Sequence, residues 1–581
     1  MMTKNIVPIL IIFISSLILS IPLFKPGFYT VHDDQQFARL YEFDKSVKSG
    51  QFPVRWVQDL GFGFGYPLFV FYPPFVYLLG EAFHLMGAGF VDSIKLVFYV
   101  SIFGSGVAMY ILTKEFWGKI AALTSAIFYM IAPYRALDIY VRGALAESFS
   151  FVWLPLILWS YHKLQKTQKS VYIAICGILL ALLMITHNLI FMPFMLILGL
   201  FIPFLLVTTT NPKRFILQAI TSFILGISLS AFFWIPALYE KQFTIVDQLL
   251  LVNLADFRIH FVYPQQLWNW PWGFGGSTAG LADGMSFKIG KLHIIVALGA
   301  VGLAMLHQMA IKTKSKKDFH LTYLFFGLFA FSAFMTTSYS FIIWDLVPPL
   351  GYLQFPWRFL TFATLASAVL AGVFIYFLRL QILRIVFLIL FIILLFLPNL
   401  KLFKPQAYRH NLSDGAVTAK ENINWDVSRS SFEYVPKGVE LYRNNLGGNT
   451  IKIDKTQIPQ ERIVIQSGIA KVDILRENPS HIVLRVDAEQ ESQLKANIFN
   501  FPGWQLKIDG AVQEIDDDNN LKLITFNVPK GSHDAELVFK NTLDRSIANA
   551  ITAAAIIAFA MIIALGDNRL IKNITNGRPK F

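Results

Sequence analysis

The sequence has few cysteines and few charged residues. Cys176 is the single cysteine among 581 residues, so no disulfide within the chain can hold a small domain together. Asp, Glu, Lys and Arg make up 15% of the chain, whereas soluble domains contain about 25%. Hydrophobic residues reach 55%, and this excess excludes a disordered chain. The net charge of +13 leaves two classes to separate, a membrane protein and a nucleic-acid-binding protein.

Several catalytic signatures are also missing from the sequence. It contains no P-loop, no glycine-rich dinucleotide fingerprint, no HExxH or paired CxxC motif, and no Gly-x-Ser-x-Gly elbow. These absences argue against ATP-driven or NAD-driven chemistry. The apolar runs carry few charges, which argues against an ion-coupled pump.

Long apolar runs recur along the chain. A helix needs roughly 20 mostly apolar residues to cross a bilayer. The runs predict twelve transmembrane helices, at 6–24, 93–113, 117–133, 149–162, 171–187, 189–207, 215–238, 292–311, 320–336, 359–378, 383–398 and 546–565. The first is predicted to be an uncleaved signal anchor, because Ser20-Ile21-Pro22 is a poor cleavage site.

The loops between these runs predict the orientation. With twelve spans, eighteen basic residues and only three acidic ones fall on one side, which the positive-inside rule makes cytoplasmic together with both termini. The basic residues are Lys4, Lys114, Lys119, Lys163, Lys166, Lys169, Lys213, Arg214, Lys312, Lys314, Lys316, Lys317, Arg379, Arg384, Arg569, Lys572, Arg578 and Lys580. This bias accounts for the net charge, so we expect a multi-pass protein of the cell (inner, cytoplasmic) membrane and no nucleic-acid partner.

Segment 66–86 is apolar enough to be counted as a thirteenth span. Counting it would break the charge parity of the loops, and the segment contains Pro73-Pro74, Glu81 and His84. These residues suit a helix that lies on the outer membrane face.

Four regions are then predicted to face outward, at 25–92, 134–148, 239–291 and 337–357, followed by a water-soluble region at 399–545. In this region apolar and polar residues alternate in runs at 482–486, 494–499, 505–508, 523–528 and 536–539, with turn sequences between them. Period-two alternation predicts an antiparallel β-sandwich. The predicted domains are a transmembrane domain at 1–398, an extracytoplasmic β-sandwich at 399–545, and a final helix with a cytoplasmic tail at 546–581.

Adjacent carboxylates follow the first span in the sequence His32-Asp33-Asp34. One of them can take a proton from an acceptor hydroxyl, while the other orients that hydroxyl or holds a metal ion. A divalent cation is therefore the one cofactor that the motif suggests. The alternative is a solvated loop whose acids cap a helix that starts near Gln35.

A second polar cluster, with Arg135, Asp138, Arg142 and Glu147, lies in the short loop before the fourth span. Arginine matches the geometry of phosphate oxygens, and a lipid phosphate would lie at this depth. The alternative is a self-contained set of ion pairs, Arg135–Asp138 and Arg142–Glu147.

Polar and aromatic residues near the ends of other spans complete the candidates. His187 ends the fifth span and Arg358 opens the tenth, where each is either a site residue or a structural one. Trp270 and Trp272 are either interfacial anchors or stacking platforms for sugar rings.

The motifs occur in an order that resembles a known family. They are His32-Asp33-Asp34, Gln51-Phe52-Pro53-Val54-Arg55-Trp56, Gly61-Phe62-Gly63, Tyr140-Val141-Arg142-Gly143, Thr186-His187-Asn188, Gln354-Phe355-Pro356-Trp357-Arg358 and Phe501-Pro502-Gly503-Trp504. The chain resembles the bacterial YfhO-like membrane proteins, labelled 6-pyruvoyl-tetrahydropterin synthase-related, and through them the GT-C glycosyltransferases. No zinc-binding histidine triad of the synthase is visible, so the label does not imply pterin chemistry.

The resemblance implies a GT-C-like, polytopic α-helical membrane protein with about twelve transmembrane helices and a C-terminal extracytoplasmic β-sandwich. It implies that Asp33 or Asp34 is the catalytic base, with Asp33 preferred, and that Arg142 and Glu147 line the donor or metal site. His187 and Arg358 would contact a lipid phosphate. The implied partners are a polyprenyl-phosphate sugar donor, an envelope glycan, lipid or protein acceptor, and membrane lipids. The alternative function is a non-catalytic transporter or scaffold for lipid-linked glycans.

Overall fold

The computed structural model describes residues 6–250, 255–310, 316–443 and 449–575. The predicted cytoplasmic residues Lys4, Lys312, Lys314, Arg578 and Lys580 lie outside these ranges. The helices are α1 Ile6–Leu19, α2 Gln36–Lys48, α3 Leu68–Phe71, α4 Phe75–Leu85, α5 Phe90–Met130, α6 Pro133–Leu137, α7 Leu145–Thr167, α8 Val171–Thr186, α9 Asn188–Val207, α10 Pro212–Leu229, α11 Ala231–Glu240, α12 Val246–Leu250, α13 Pro264–Trp268, α14 Lys291–Ala310, α15 Lys316–Met335, α16 Phe341–Leu346, α17 Leu360–Phe377, α18 Gln381–Asn399, α19 Asp414–Val417 and α20 Leu543–Thr575. The strands are β1 Phe28–Tyr29, β2 Tyr408–Arg409, β3 Leu441–Arg443, β4 Asn449–Ile451, β5 Ile463–Ser467, β6 Ala470–Asn478, β7 His481–Ala488, β8 Ser492–Phe499, β9 Trp504–Ile508, β10 Ala511–Gln513, β11 Leu523–Val528 and β12 Gly531–Phe539.

Each of the twelve predicted spans contains a helix. By length and composition, seven helices of the described chain can cross a membrane, and the bent pair formed by α10 and α11 raises the number to eight. The first span is shorter than expected, since α1 has 14 residues, and α8 has 16. The chain is therefore a mostly helical protein with several membrane-spanning candidates, and the count of twelve stays a prediction.

The longest helical stretch, α5, is interrupted at Gly118. Its φ of 78° and ψ of −176° are not helical, and glycine adopts this conformation without a Cβ penalty. The chain folds back at this residue. The two halves pack closely, since a Cβ on Gly106 in the first half would clash with Met130 in the second. The break falls at the second residue of the predicted span 117–133, close to the predicted boundary between two spans.

The segment 66–86 forms two short helices rather than one long one. Residues 72–74 separate α3 from α4, where Pro73 and Pro74 lack the N–H groups that a continuous helix needs. The 11 residues of α4 extend about 16 Å, about half of the hydrocarbon thickness. This helix is too short to cross a bilayer by itself.

The long connecting segments meet at one end of the helix bundle. Asp33 N–H donates to Arg142 C=O at 2.8 Å, and His32 Nε2 lies 2.9 Å from Phe274 C=O. Strand β1 pairs with β2, and single bridges join residue 244 to 436 and 262 to 337. All four segments that we predicted to lie on one side, and the chain after residue 399, therefore contact one another.

The basic loops meet elsewhere in the bundle. Lys163 pairs with Glu115 at 3.1 Å, and Arg214 Nη2 donates to Gln168 C=O at 3.1 Å. Tyr376 donates to Asp318 at 3.0 Å. These contacts join neighbouring loops among those that carry the predicted cytoplasmic charge.

The C-terminal region contains two antiparallel sheets. Their strand orders are β10-β9-β12-β7-β6 and β11-β8-β5, and all five predicted alternating runs are strands, which confirms that part of the prediction. The alternation is visible in β9, where Trp504, Leu506 and Ile508 are buried between more exposed neighbours. The sheets begin only at residue 463; residues 400–462 form short helices, turns and the small strands β2 to β4.

Several contacts join the sheets to the helical part, and two of them involve large buried side chains. The ring of Trp56 packs edge-on against Trp504, with 5.4 Å between centroids, and against Phe539 at 5.2 Å. Arg545, at the start of α20, donates to Glu240 of α11 at 2.7 Å and to Pro502 C=O at 2.9 Å. Both members of this ion pair are fully buried, so the pair ties two helices and a sheet turn to each other.

Substitution of Gly65 by alanine tests how much the Trp56 contact contributes to stability. Its φ is +81°, and a Cβ there would lie 2.5 Å from the Trp56 ring, whereas Gly50 has a φ of +88° with nothing within 4 Å of its Cβ position. Both alanine variants carry the cost of positive φ, about 1–2 kcal/mol, but only Gly65→Ala displaces Trp56. We expect Gly65→Ala to lower the melting temperature in detergent by clearly more than Gly50→Ala. Equal shifts would contradict this packing.

Candidate functional site

A cavity of about 1160 Å³ lies where the connecting segments meet the helices. Its wall includes the chain just before α2, the junction of α8 and α9, helix α11 and the segment before α17. Five of the predicted site residues line it together: His32, Asp33, Arg142, His187 and Arg358.

Arg142 is positioned by an unusual local backbone. Residues 138–142 form one π-helical turn, which ends at Gly143 with a φ of 69°. A Cβ at Gly143 would lie 2.7 Å from Val31, so glycine also lets the Asp33 segment approach. The turn brings Asp138 Oδ1 within 2.6 Å of Arg142 Nη1. Single π turns of this kind often occur at functional sites.

Glu147 holds the back of the same cluster. The carboxylate, on the first turn of α7, accepts from Arg142 at 2.9 Å, from Tyr134 at 2.6 Å and from Thr361 at 3.3 Å. Arg358 Nε lies 3.5 Å away. Glu147 is 1% exposed, so it supports the arginines from behind the cavity wall.

Aromatic rings fix the two arginines from the side. The Arg142 guanidinium lies 4.5 Å from the centroid of Trp357, and that of Arg358 lies 5.1 Å from Phe355. Arg358 Nη1 also donates to Leu353 C=O at 2.6 Å. These contacts hold both side chains in place before any ligand binds, as an anion site requires.

His187 combines a structural and a site position. It ends α8 in an extended conformation, with φ −157°, and its Nδ1 accepts from Ile190 N–H at 3.2 Å, which caps α9. Because Nδ1 is the acceptor, the ring proton is on Nε2. His187 therefore adds a hydrogen-bond donor to the cavity wall.

The two adjacent aspartates have different surroundings. Asp33 lines the cavity, whereas Asp34 does not. The carboxylate of Asp34 lies 3.9 Å from Arg409. Burial raises the pKa of Asp34; Arg409 and its own backbone N–H oppose the rise, and Asp33 and Asp426 add to it. Neither aspartate caps α2, because the N-cap residue is Gln35 and no side chain caps it.

The structure does not bring the other predicted residues to the cavity. Arg135 is fully buried and donates to Ser148 C=O at 2.7 Å and to Ser101 C=O at 3.3 Å. Asp138, its predicted partner, pairs with Arg142. The predicted Arg142–Glu147 pair is present, but an Arg135–Asp138 pair is not part of the described contacts. Trp270 donates to Asp283 C=O at 3.1 Å and Trp272 lies under Lys288, so both pack the loop that borders the cavity.

A divalent cation at Asp33 and Asp34 stays a prediction. Within the described ranges, no three His, Cys, Asp or Glu side chains are grouped as metal ligands. The Asp34 carboxylate also lies 3.9 Å from Arg409.

The cavity also contains residues that the sequence did not single out. Three further groups line the cavity. Arg39 and Tyr72 belong to the segment 25–92, and Glu433 and Tyr434 belong to the chain before the sheets. The third group is Lys241, Asp247 and Tyr352. Arg39 could have been found, because it lies four residues after Gln35 and thus on the same face of α2. For Glu433 no local signal exists, since it lies 400 residues from Asp33.

Helices long and apolar enough to cross a membrane, and a cavity at one end of the bundle where polar side chains meet an apolar wall, define a polytopic membrane protein with a candidate binding site. Residues 69–403, more than half of the chain, match the family described as "6-pyruvoyl-tetrahydropterin synthase related domain; membrane protein". The chain belongs to this family of membrane proteins, which confirms the membership that its motifs predict.

Comparison with curated proteins gives no match. Two cryo-EM structures of the arabinofuranosyltransferase AftD from mycobacteria are among the similar solved structures. One has 13% sequence identity and a TM-score of 0.40 over 70% of this chain; the other, a mutant form, has 12% and 0.41 over 68%. The chain spans 27% and 28% of the length of those proteins.

Removal of the Glu147 carboxylate tests the buried cluster. Glu147→Ala leaves two buried arginines short of a counter-charge, and breaking such a pair costs about 3–5 kcal/mol. The control is Glu115→Ala, whose carboxylate is 26% exposed and pairs with Lys163 and Lys166; surface pairs contribute about 0–1 kcal/mol. We expect a large drop in melting temperature only for Glu147→Ala, and equal small drops would contradict the role given to this carboxylate.

Proposed function

We propose that the protein is a membrane glycosyltransferase of the GT-C type. It transfers a sugar from a polyprenyl-phosphate-linked donor to an envelope glycan, lipid or protein acceptor at the outer face of the membrane. The observation that carries the proposal is the cavity itself, in which Asp33, Arg142, Arg358 and a strongly apolar wall meet. A lipid-linked sugar has these three parts: a reacting sugar, a phosphate and a hydrocarbon chain.

The apolar wall provides room for the hydrocarbon chain. It comes from α8, α9 and α11 and includes Met184, Met192, Met195, Trp234 and Leu238. Leu238 is 63% exposed on the bundle surface, so this side of the cavity is continuous with the face that lipid would cover. Methionine-rich surfaces adapt to irregular apolar ligands, which suits a flexible isoprenoid chain.

The arginines suit the phosphate of the donor. Arg142 and Arg358 are balanced from behind by Asp138 and Glu147, so the pocket accepts an anion without carrying a large excess of charge when empty. Hydrogen bonds between guanidinium groups and phosphate oxygens are short and strong. The Nε2 proton of His187 adds a neutral donor.

Asp33 suits the role of general base. Its carboxylate accepts the proton of the acceptor hydroxyl while that oxygen forms a bond to the anomeric carbon. The bond from this carbon to the phosphate oxygen breaks, and the polyprenyl phosphate leaves with the electron pair, stabilised by Arg142 and Arg358. One displacement inverts the anomeric configuration. Glu147 acts as a positioning residue for the two arginines.

The proposed orientation follows from the charge of the loops. By the positive-inside rule the basic loops and both termini face the cytoplasm in this proposal, which makes the cavity and the two sheets extracytoplasmic. This places the site at the leaflet that presents lipid-linked sugars for envelope assembly. The partners are then the lipid-linked donor, the acceptor and membrane lipids.

The two adjacent aspartates provide a matched test. Asp33→Asn removes the base at nearly constant shape, and we expect transfer to fall by about 10²–10⁴-fold. Asp34→Asn changes the same group one residue later, outside the cavity, and should retain most of the activity. Mass spectrometry of envelope glycans from a deletion strain, complemented with each variant at equal expression, measures both.

If both variants restore the missing glycan, the carboxylate is not needed and the protein is a transporter or scaffold for lipid-linked glycans. If Asp34→Asn alone is inactive, the base has been misassigned. Melting temperatures of the two purified variants control for folding.

A further inference from the structure

A second polar region lies in the cavity, separate from the arginines that suit a phosphate. It is formed by Gln35, Arg39, Tyr72, Ser430, Glu433 and Tyr434, which we call the α2 pocket. The first three residues come from the chain around α2 and α3, and the last three from the irregular chain that precedes the sheets.

The two halves of the α2 pocket are held together by direct contacts. Gln35 Nε2 donates to Ser430 Oγ at 3.3 Å, and Arg39 Nη2 donates to Ser431 Oγ at 3.0 Å. The Arg39 guanidinium lies flat against Tyr72, 4.1 Å from the ring centroid. Gln35 is the N-cap residue of α2 and Arg39 lies one turn further along the helix, and both line the cavity.

Tyr434 is fixed as a platform. Its backbone N–H donates to the hydroxyl of Tyr66 at 2.9 Å, and its ring stacks on Phe71 at 4.7 Å with an interplanar angle of 24°. The side chain is only partly buried and lines the cavity, so part of it remains open to a ligand.

The α2 pocket keeps unused hydrogen-bonding capacity. Arg39 is 5% exposed, yet its Nε–H has no hydrogen-bond partner among the described residues. A buried donor without a partner costs about 1–3 kcal/mol. Glu433 lines the same cavity and provides carboxylate oxygens as acceptors there.

This combination favours a neutral, hydroxylated ligand. Guanidinium donors and carboxylate acceptors together match the hydroxyl groups of a sugar, and an aromatic face matches the C–H face of its ring. A phosphate would meet the Glu433 carboxylate and be repelled. The α2 pocket therefore differs in chemistry from the Arg142 and Arg358 end of the cavity.

The position of Asp33 connects the two regions. The Asp33 backbone is hydrogen-bonded to Arg142 C=O. Only one residue separates Asp33 from Gln35, the first residue of the α2 pocket. A group bound in the α2 pocket would thus present its hydroxyl to the Asp33 carboxylate, with the donor phosphate beyond.

We propose that the α2 pocket binds the acceptor, as a neutral sugar unit whose ring lies on Tyr434 and whose hydroxyls bond to Arg39 and Glu433. This inference rests on the proposed function. It makes the irregular segment before the sheets, rather than the sheets themselves, the part of the C-terminal region that recognises the acceptor.

A binding measurement that needs no turnover tests the α2 pocket. The full chain in lipid nanodiscs is titrated with methyl glycosides of common envelope sugars, neutral monosaccharides and N-acetylated ones, and saturation-transfer NMR reports contact. We expect at least one of these probes to bind saturably and Glu433→Gln and Tyr434→Leu each to weaken it about tenfold or more. Tyr434→Phe, which keeps the ring, should retain binding. Glu440→Gln, an exposed carboxylate paired with Lys452 at 3.5 Å, is the matched control.

The outcomes separate this inference from the proposed function. Binding that survives in Asp33→Asn, while transfer is lost, supports both. If Glu433→Gln loses glycoside binding but still transfers sugar with a normal KM for the acceptor, the inference is wrong. The proposed transferase function is unaffected by that result. If no methyl glycoside binds the wild-type protein, or if inositol phosphate binds in competition at the same residues, the α2 pocket is not a neutral-sugar site. Unchanged melting temperatures show that the variants are folded.

Discussion

The buried carboxylate of Glu147 is the interaction on which the architecture of the site depends. A charge removed from water must be paired and hydrogen-bonded, and Glu147 meets this requirement with Arg142, Arg358, Tyr134 and Thr361. These partners come from two stretches of the chain, 134–142 and 358–361. One carboxylate therefore fixes the π turn, the start of α7 and the entry to α17 relative to one another, and it leaves two arginines directed toward the cavity.

The remaining walls of the cavity are attached to this centre through the backbone and through loop contacts. The Asp33 segment is bonded to the π turn, His32 reaches the loop at Phe274, and the chain before the sheets is bonded to α2. The sheets are joined to the helices through Trp56 and Arg545. Because each wall is supplied by a different segment, the cavity exists only when all of them are assembled.

Sequence reasoning located about half of the candidate site. His32, Asp33, Arg142, His187 and Arg358 were found because they stand in short motifs at the ends of apolar runs, and such ends meet at a common level in a helix bundle. Arg135 was selected by the same argument, but its side chain turns into the bundle, where Nη1 and Nη2 donate to serine oxygens. Trp270 and Trp272 were selected for their chemistry, and the loop uses them for its own packing.

The sequence by itself determined the membrane class, the positions of the helical segments and the strands at 482–539, because apolar length and period-two alternation are local properties. Only the tertiary structure decided which of two adjacent aspartates faces the cavity, which acid pairs with Arg142, and that Glu433 and Tyr434 lie beside Arg39. The physical reason is that a side chain's direction and partners depend on contacts between segments hundreds of residues apart. No local pattern encodes such contacts.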